Sequence, residues 1–369
     1  MVAGVTCVVV KVGSSLLVDG TGTVRRDWLK TLVADLAARH GAGVKIIVVS
    51  SGAIALGARR LALPKGGRAS LEDAQAAAAV GQIALAGCWA DLLSLYQINA
   101  AQVLVTNEDF EERRRYINIT ATLNRLLSLG VVPVINENDT VATDEIRVGD
   151  NDRLAERVAQ AAGAQEVILL SDVDGLYSAD PSQHASAELL PVVCRVDARI
   201  MALAGAGSSS GMGSGGMTSK LEAARAANSA GIDLVLVSGK HDHPLARLDR
   251  GGVGTRFVAA SAKASRKAWL AGRLRIKGQI MVDGGAVTAL QSGGASLLAA
   301  GAIRVTGDFE RGDVVDILNG AGETVARGLV EYDADDAALI CGKRSGALAD
   351  ILGYAPRAAL VHCNHMVVL

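Results

Sequence analysis

The sequence predicts an α/β protein: a parallel-rich open sheet sandwiched by helices, followed by a small β-rich domain. Three observations carry that expectation. Through residues 1–255, short β-branched runs alternate with helical patterns, the order of a parallel sheet covered on both faces. Aromatic residues make up only 3% of a chain that is 50% hydrophobic. The core therefore has to be built from Ala, Val, Leu and Ile, which suits helices packed on parallel strands. Beyond that point the chain changes to short alternating segments divided by Gly-rich turns.

The first strand is expected at Thr6–Val10, a short apolar run that stops at a Gly-Ser turn. Asp27 is placed to cap a helix in which Trp28, Leu29, Leu32, Val33 and Leu36 share one face, and Gly41 is placed to stop it. Lys45–Val49 reads as the next strand, ending at Ser50-Ser51-Gly52. A long helix follows from Ser70 to about Gln97, with strands at Val103–Val105, Val131–Ile135 and Val167–Leu170. A helix starting near Arg153 and a last helix–strand pair, Met217–Ala230 and Leu234–Val237, complete the alternation. Residues 261–272 read as a linker between a first domain over 1–260 and a second over 273–369. The second holds β segments at Gln279–Asp283, Ile303–Thr306, Asp313–Leu318 and Thr324–Leu329, then a C-terminal tail.

The 369 residues suffice for two or three domains and a large core. A net charge of −1 gives no general attraction to nucleic acid or to an anionic membrane. Lys263, Arg266, Lys267, Arg273, Arg275 and Lys277 form a basic run, read as a solvated linker. Residues 273–356 hold eight Lys/Arg against eleven Asp/Glu and few aromatics, a poor footprint for phosphate backbone or base stacking. Five cysteines lie far apart with no C-x-x-C, which argues against a disulfide framework or zinc ribbon and for a reducing compartment. No leader pattern is present, and no run reaches the ~20 apolar residues of a membrane span. The Ala-rich run Ala74–Leu85 is broken by Gly81 and Gln82. The expected location is the cytoplasm, with no membrane or nucleic-acid partner.

In a parallel α/β sheet, ligands bind beyond the carboxyl ends of the strands, so the motifs that follow strands carry the chemistry. Lys11-Val12-Gly13-Ser14-Ser15 offers a cation and free backbone N–H groups to a phosphate; the plain alternative is a tight turn with an exposed lysine. Ser50-Ser51-Gly52-Ala53 leads a strand into a helix whose first amides can hold a carboxylate; the alternative is an N-cap serine with a packing glycine. Asn136-Glu137-Asn138-Asp139 and Gly149-Asp150-Asn151-Asp152 pair amides and acids twice, close to one buried strand. Such groups can grip an α-amino group, orient lysines, or meet Mg²⁺ through water; a solvated loop with an Asx cap is the alternative. Gly205–Gly216 has six Gly and four Ser in twelve residues and runs into Met217-Thr218-Ser219-Lys220. Its backbone amides can wrap phosphates, and its place inside a regular αβ pattern fits a linker poorly.

Gly211, Gly213 and Gly216 match G-x-G-x-x-G, but they follow a Ser/Gly run rather than a strand, so a dinucleotide fingerprint is not expected. The pattern G-x-x-x-x-G-K-[ST] is absent, so a nucleotide site here is not a P-loop. Trp28, Trp89 and Trp269 sit in apolar helical patterns and read as core or interface. His362, Cys363 and His365 crowd the tail without a metal-ligand spacing. Asp109–Arg115 reads as a charged helix surface and a candidate oligomer contact.

Together the motifs resemble the amino-acid kinase family: KVGSS at 11–15, SSGAIALG at 50–57, VPVINENDTVAT at 132–143, VGDNDRLA at 148–155, LLSDVDGLY at 169–177 and GMGSGGMTSK at 211–220. The resemblance covers nearly the whole chain and is closest to the glutamate-phosphorylating branch. KGQIMVDGGA at 277–286 and GDFERGDVVDI at 307–317 are similar to the PUA domain that bacterial members of that branch carry. The resemblance implies phosphoryl transfer from ATP to the side-chain carboxylate of L-glutamate, giving L-glutamyl 5-phosphate, the first step of proline biosynthesis. It implies Mg²⁺ carried on the ATP phosphates rather than by dedicated protein ligands. It also implies proline as a feedback inhibitor, a homo-oligomer (dimer or tetramer), and coupling to the next enzyme of the pathway.

By the same resemblance, Lys11 and Lys220 contact the ATP phosphates and Asp152 orients both lysines. Ser51, Gly52, Ala53, Asn136, Asp139, Asp150 and Asn151 line the glutamate site. Gly13, Ser171, Asp172, Ser214, Gly215, Gly216, Met217, Thr218 and Ser219 join the lysines around the nucleotide. Two positions depart from the family pattern: Ser219 and Ser171 stand where Thr is usual, and both keep the hydroxyl. The competing readings are another substrate on the same fold (acetylglutamate, aspartate or UMP) and an RNA-binding PUA protein.

Overall fold

The structure is a computed structural model; it describes residues 6–141, 150–184, 186–204, 216–259, 276–357 and 359–369, the side chains of Asp150 and Asn364 excepted. Ser214, Gly215, Trp269 and most of the basic run lie outside the described residues. The chain divides into two compact units, Met1–Phe110 with Ile119–Ala262, and Glu111–Asn118 with Lys263–Leu369.

The first unit is built on an eight-stranded sheet. Its strands are β1 Cys7–Val12, β2 Lys45–Ser50, β3 Ala100–Val105, β4 Val132–Glu137, β5 Glu166–Ser171, β6 Val192–Val193, β7 Asp233–Ser238 and β8 Gly254–Phe257. They lie in the order β3-β4-β2-β1-β5-β7-β8-β6. β1 is buried along its whole length and pairs in parallel with β2 on one side and β5 on the other. The chain thus winds outward in both directions from β1, so the strand order reverses at β1 and β5, whose carboxyl ends are where ligands bind in such sheets. The expected parallel run holds from β3 to β7. It ends at β8, which is antiparallel to β7, with Leu234 opposite Phe257.

The helices of this unit and its connections are α1 Ser14–Leu17, α2 Arg26–Gly41, α3 Ala53–Arg60, α4 Leu71–Ser94, α5 Arg113–Ser128, α6 Asp150–Ala162, α7 Ala198–Ala202, α8 Met217–Ser229 and α9 Pro244–Asp249. Asp27 does not cap α2: Arg25 holds the N-cap position, and Asp27 sits in the first turn, 2.8 Å from Lys30 Nζ. Gly41 is still helical, and the chain turns away through Gly43 at φ 85°. Among the described residues, α4 alone is long and apolar enough by composition to cross a bilayer. It is capped by Ser70, whose Oγ accepts from the Asp73 amide at 3.1 Å. Its Ala74, Ala77, Ala78, Leu85 and Trp89 are buried in the unit's core. Trp89 Nε1 donates to Ser50 Oγ at 2.9 Å and Trp28 Nε1 to the His241 carbonyl at 3.1 Å, so both indoles are core residues with their polar end satisfied.

The contact of α3 with α4 fixes the start of α3. A Cβ at Gly57 would lie 1.7 Å from the Ala77 carbonyl oxygen, and one at Gly81 would lie 1.8 Å from that of Ala53. The two helices touch backbone to backbone, which only glycine permits.

The second unit carries a five-stranded sheet, β10-β9-β11-β12-β13, from β9 Ile276–Val282, β10 Ala302–Gly307, β11 Val314–Leu318, β12 Thr324–Val330 and β13 Val361–Val368. β9 and β11 pair in parallel and the other neighbours antiparallel. Ile280, Val282, Phe309, Val315, Ile317 and Leu360 form its core together with Leu290, Ile340 and Leu348 from short helices. The expected tail is therefore strand β13, and the His362–His365 stretch falls where its register against β12 shifts between Gly328 and Val330. Asp109–Arg115 is charged and largely exposed, and several of its groups are paired: Glu112 accepts from the Arg114 and Arg115 amides, Arg113 pairs with Asp313, and Arg114 lies 2.8 Å from Glu310.

Candidate active site

The carboxyl edge of the first sheet gathers the polar residues. Lys11 is the next-to-last residue of β1 and is only 3% exposed. Lys220 lies in the first turn of α8 and is 5% exposed. Asp152, in the first turn of α6, is 0% exposed and stands between them. Its Oδ1 is 2.6 Å from Lys11 Nζ and its Oδ2 is 3.3 Å from Lys220 Nζ. Burial pushes the Asp152 carboxyl up. The charges and hydrogen bonds of Lys11 and Lys220 outweigh that and hold it below the usual carboxylate range. The carboxylate is thus ionised, and the buried cluster of two lysines and one carboxylate stands at the carboxyl end of β1.

Gly13 follows directly, at the N-cap of α1, where a Cβ would lie 3.7 Å from Lys11 Nζ. A larger side chain there would compete with any anion for the lysine. At the end of β5, Ser171 Oγ donates to Asp172 Oδ1 at 3.1 Å, and the Ser171 carbonyl accepts from the Gly239 amide at 2.7 Å. Gly216 is the N-cap residue of α8, and Met217, Thr218 and Ser219 form its first turn with Lys220, so the N-terminal end of a helix sits beside the lysine pair.

A second set lies on the β2–β4 side. Gly52 takes φ 109°, a left-handed turn that starts α3 at Ala53. Ser51 Oγ accepts from Asn151 Nδ2 at 2.6 Å, Asn151 Nδ2 also reaches Asn136 Oδ1 at 3.3 Å, and Asn136 Nδ2 donates to Gln82 Oε1 at 2.9 Å. Asp139 is buried just beyond β4. The structure thus brings Ser51, Asn136 and Asn151 into one hydrogen-bonded chain next to the Lys11–Asp152–Lys220 cluster, since Asn151 and Asp152 are neighbours in α6. The helix begins at Asp150, three residues earlier than the sequence suggests, and this places both in its first turn. Gln82 was not a sequence candidate. The available signal was a single amide inside the Ala-rich run, because an amide buried there needs a partner.

This edge can hold an anion at the lysines and a small polar molecule on the amide chain beside it. Among the described residues, no group of three or more His, Cys, Asp or Glu is arranged to hold a metal ion.

The sequence profile of the amino acid kinase family matches residues 6–238, and that of the PUA domain matches residues 278–352. The glutamate 5-kinase of Sphingopyxis alaskensis is 60% identical over 361 residues, covering 98% of this chain and 97% of that one. That of Zymomonas mobilis is 58% identical, covering 98% and 91%. That of Novosphingobium aromaticivorans is 57% identical, covering 99% and 97%. The Lys–Asp–Lys cluster at the sheet edge and these matches along both units agree: the chain belongs to the amino acid kinase family, among its PUA-bearing glutamate 5-kinases.

Proposed function

We propose that the chain transfers the γ-phosphoryl group of ATP to the side-chain carboxylate of L-glutamate, the opening step of proline biosynthesis. The observation that carries the reading is Asp152 held between Lys11 and Lys220 at the carboxyl edge of the central strands. The residues present fit a polyphosphate: two buried ammonium groups share one carboxylate, glycine stands beside the first lysine, and a helix N-terminus stands beside the second. ATP with Mg²⁺ on its phosphates would supply the phosphoryl donor and part of the charge neutralisation.

The chain's own residues do the rest. Asp152 keeps both lysines in place, so their charges need no rearrangement when negative charge shifts on the transferred group. Ser171, Asp172 and Gly216–Ser219 are the residues assigned to flank the nucleotide, with Ser214 and Gly215 preceding Gly216 in sequence, while Asp150, which precedes Asn151, belongs with the amino-acid site. Ser51, Asn136, Asp139 and Asn151, with the α3 amides after Gly52, offer donors and acceptors to an amino acid. A carboxylate is already a nucleophile at pH 7, so no general base is required, and catalysis reduces to positioning two anions and neutralising their repulsion. The names of the relatives support glutamate as the acceptor. Proline inhibition, a homo-oligomer and coupling to the next enzyme rest on the sequence resemblance. A cytoplasmic location is in keeping with five separate free cysteines.

The test is ATP turnover with hydroxylamine present to trap an acyl phosphate, run with L-glutamate, N-acetylglutamate and aspartate, and UDP formation with UMP. Hydroxamate from glutamate alone, reduced by proline, is the expected result. Equal or greater turnover with another acceptor would overturn the substrate assignment.

A further inference from the structure

Gln82 belongs to none of the motifs, yet it ends the polar chain that reaches the site. It lies in the middle of α4 and is 8% exposed. Its Oε1 accepts from Asn136 Nδ2 at 2.9 Å, which commits Asn136 Oδ1 to the other side, 3.3 Å from Asn151 Nδ2. Asn151 Nδ2 is then fully engaged by Asn136 Oδ1 and Ser51 Oγ. What remain are the two ends of the chain, the Gln82 Nε2 donor within the helix packing and the Asn151 Oδ1 acceptor at the site, both buried and without a hydrogen-bond partner among the described residues. A buried acceptor left unpaired is unfavourable, and it is relieved by a donor that the protein does not supply.

The three amides are coupled. An amide presents a donor on one side and an acceptor on the other, so the orientation of each fixes the next. With Gln82 offering Oε1, the chain ends in an acceptor at Asn151. With the whole chain reversed, it would end in the Nδ2 donor. The first suits an ammonium group, and the second suits a carboxylate.

We infer that Gln82 is a positioning residue that selects for the α-ammonium group of the substrate by holding Asn136, and through it Asn151, with an acceptor turned to the ligand. The inference rests on the proposed reading of this edge as an amino-acid site. Gln82 also sits beside Gly81, whose backbone contact with Ala53 ties α4 to the start of α3. The helix that carries the orienting amide and the turn that carries Ser51 are therefore held in one register.

The experiment compares wild type with Gln82→Met, which keeps the side-chain length without the amide, and with Gln82→Glu, which keeps an oxygen acceptor for Asn136 Nδ2. KM is measured for L-glutamate and for ATP, and an inhibition constant is measured for glutarate, which lacks the ammonium group. For Gln82→Met the expected result is a rise in KM for glutamate of roughly tenfold or more, the scale of one hydrogen bond to a charged group. KM for ATP and the glutarate constant stay within about twofold of wild type, a change small beside the tenfold step. Gln82→Glu restores glutamate binding to near the wild-type value. An unchanged KM for glutamate in Gln82→Met overturns the inference, and so does an equal loss for glutamate and glutarate. If Gln82→Met does not fold, Gln82→Glu decides: weakened glutamate binding with unchanged glutarate binding overturns it. Wild-type protein without glutamate-dependent turnover would instead sink the underlying functional reading.

Discussion

Asp152 and Glu156 stand one turn apart on α6, both buried, yet their acidities move in opposite directions. Burial pushes Glu156 up to about 7, because its neighbours provide too little to offset the lost water: the Gln160 amide donates to it, and Arg157 and Arg153 act more weakly. Burial also pushes on Asp152, which is still more deeply enclosed, but two lysine ammonium groups reverse the outcome. Burial alone leaves a carboxyl protonated, and only a purpose-built cationic surround keeps one charged in the dry interior. The first turn of α6 pays that cost at the strand ends, and the second turn does not.

The largest effect should come from breaking the first turn. Asp152→Ala leaves two lysines buried without their counter-ion and should destabilise the fold by about 3–5 kcal/mol, read from the denaturant midpoint at pH 7. A midpoint unchanged from wild type would mean that the lysines find water or other partners. Next are Lys11→Ala and Lys220→Ala. Each leaves Asp152 one cation, so the fold should survive while kcat falls at least about a hundredfold, the scale of one preorganised contact to the transferring group. Near-normal turnover in either would detach the cluster from the chemistry.

Glu156→Gln sharpens the second half of the contrast. A carboxyl whose folded pKa lies above its unfolded one keeps its proton in the fold and loses it on unfolding, so stability falls as pH rises between about 4.5 and 7. The amide cannot ionise, and the variant should gain up to about 3 kcal/mol over wild type at pH 8 while matching it at pH 4.5. Asp152 has the opposite sign: its stabilisation is present above the unfolded pKa and is lost as acid takes the pH down through the depressed folded value. The smallest effect belongs to Gln160→Leu, which removes the donor that favours ionised Glu156 and should move the neutral-pH transition upward. A downward move would show that the hydrogen bond favours the protonated form.

Much of this was legible in the sequence, for physical reasons that differ by element. β2, β5 and β7 are built on continuous runs of Val, Ile and Leu, and β1 on one broken only by Lys11, as strands buried on both faces must be. The first half of β3, Ala100-Ala101-Gln102, has no β-branched residue, and its strand state comes from pairing with β4. β13 was hidden because His362, Cys363 and His365 interrupt its apolar pattern just where its register shifts. β8 is a short Gly-Thr-Arg-Phe segment whose direction no local signal encodes. At the site, the lysines and acids stood out because charged residues at buried strand ends are rare. Gln82 did not, because its significance lies in the partner it meets from β4, 54 residues away.

The glycine-to-glycine crossing of α3 and α4 sets a manufacturing tolerance for the site. Positions fixed through long side chains inherit the rotamer freedom of every link. A joint between two backbones inherits none. Ser51 and Gln82 are thus referenced to a single rigid datum. Residues 57 and 81 should be intolerant of any replacement, alanine included, although neither touches a reactant.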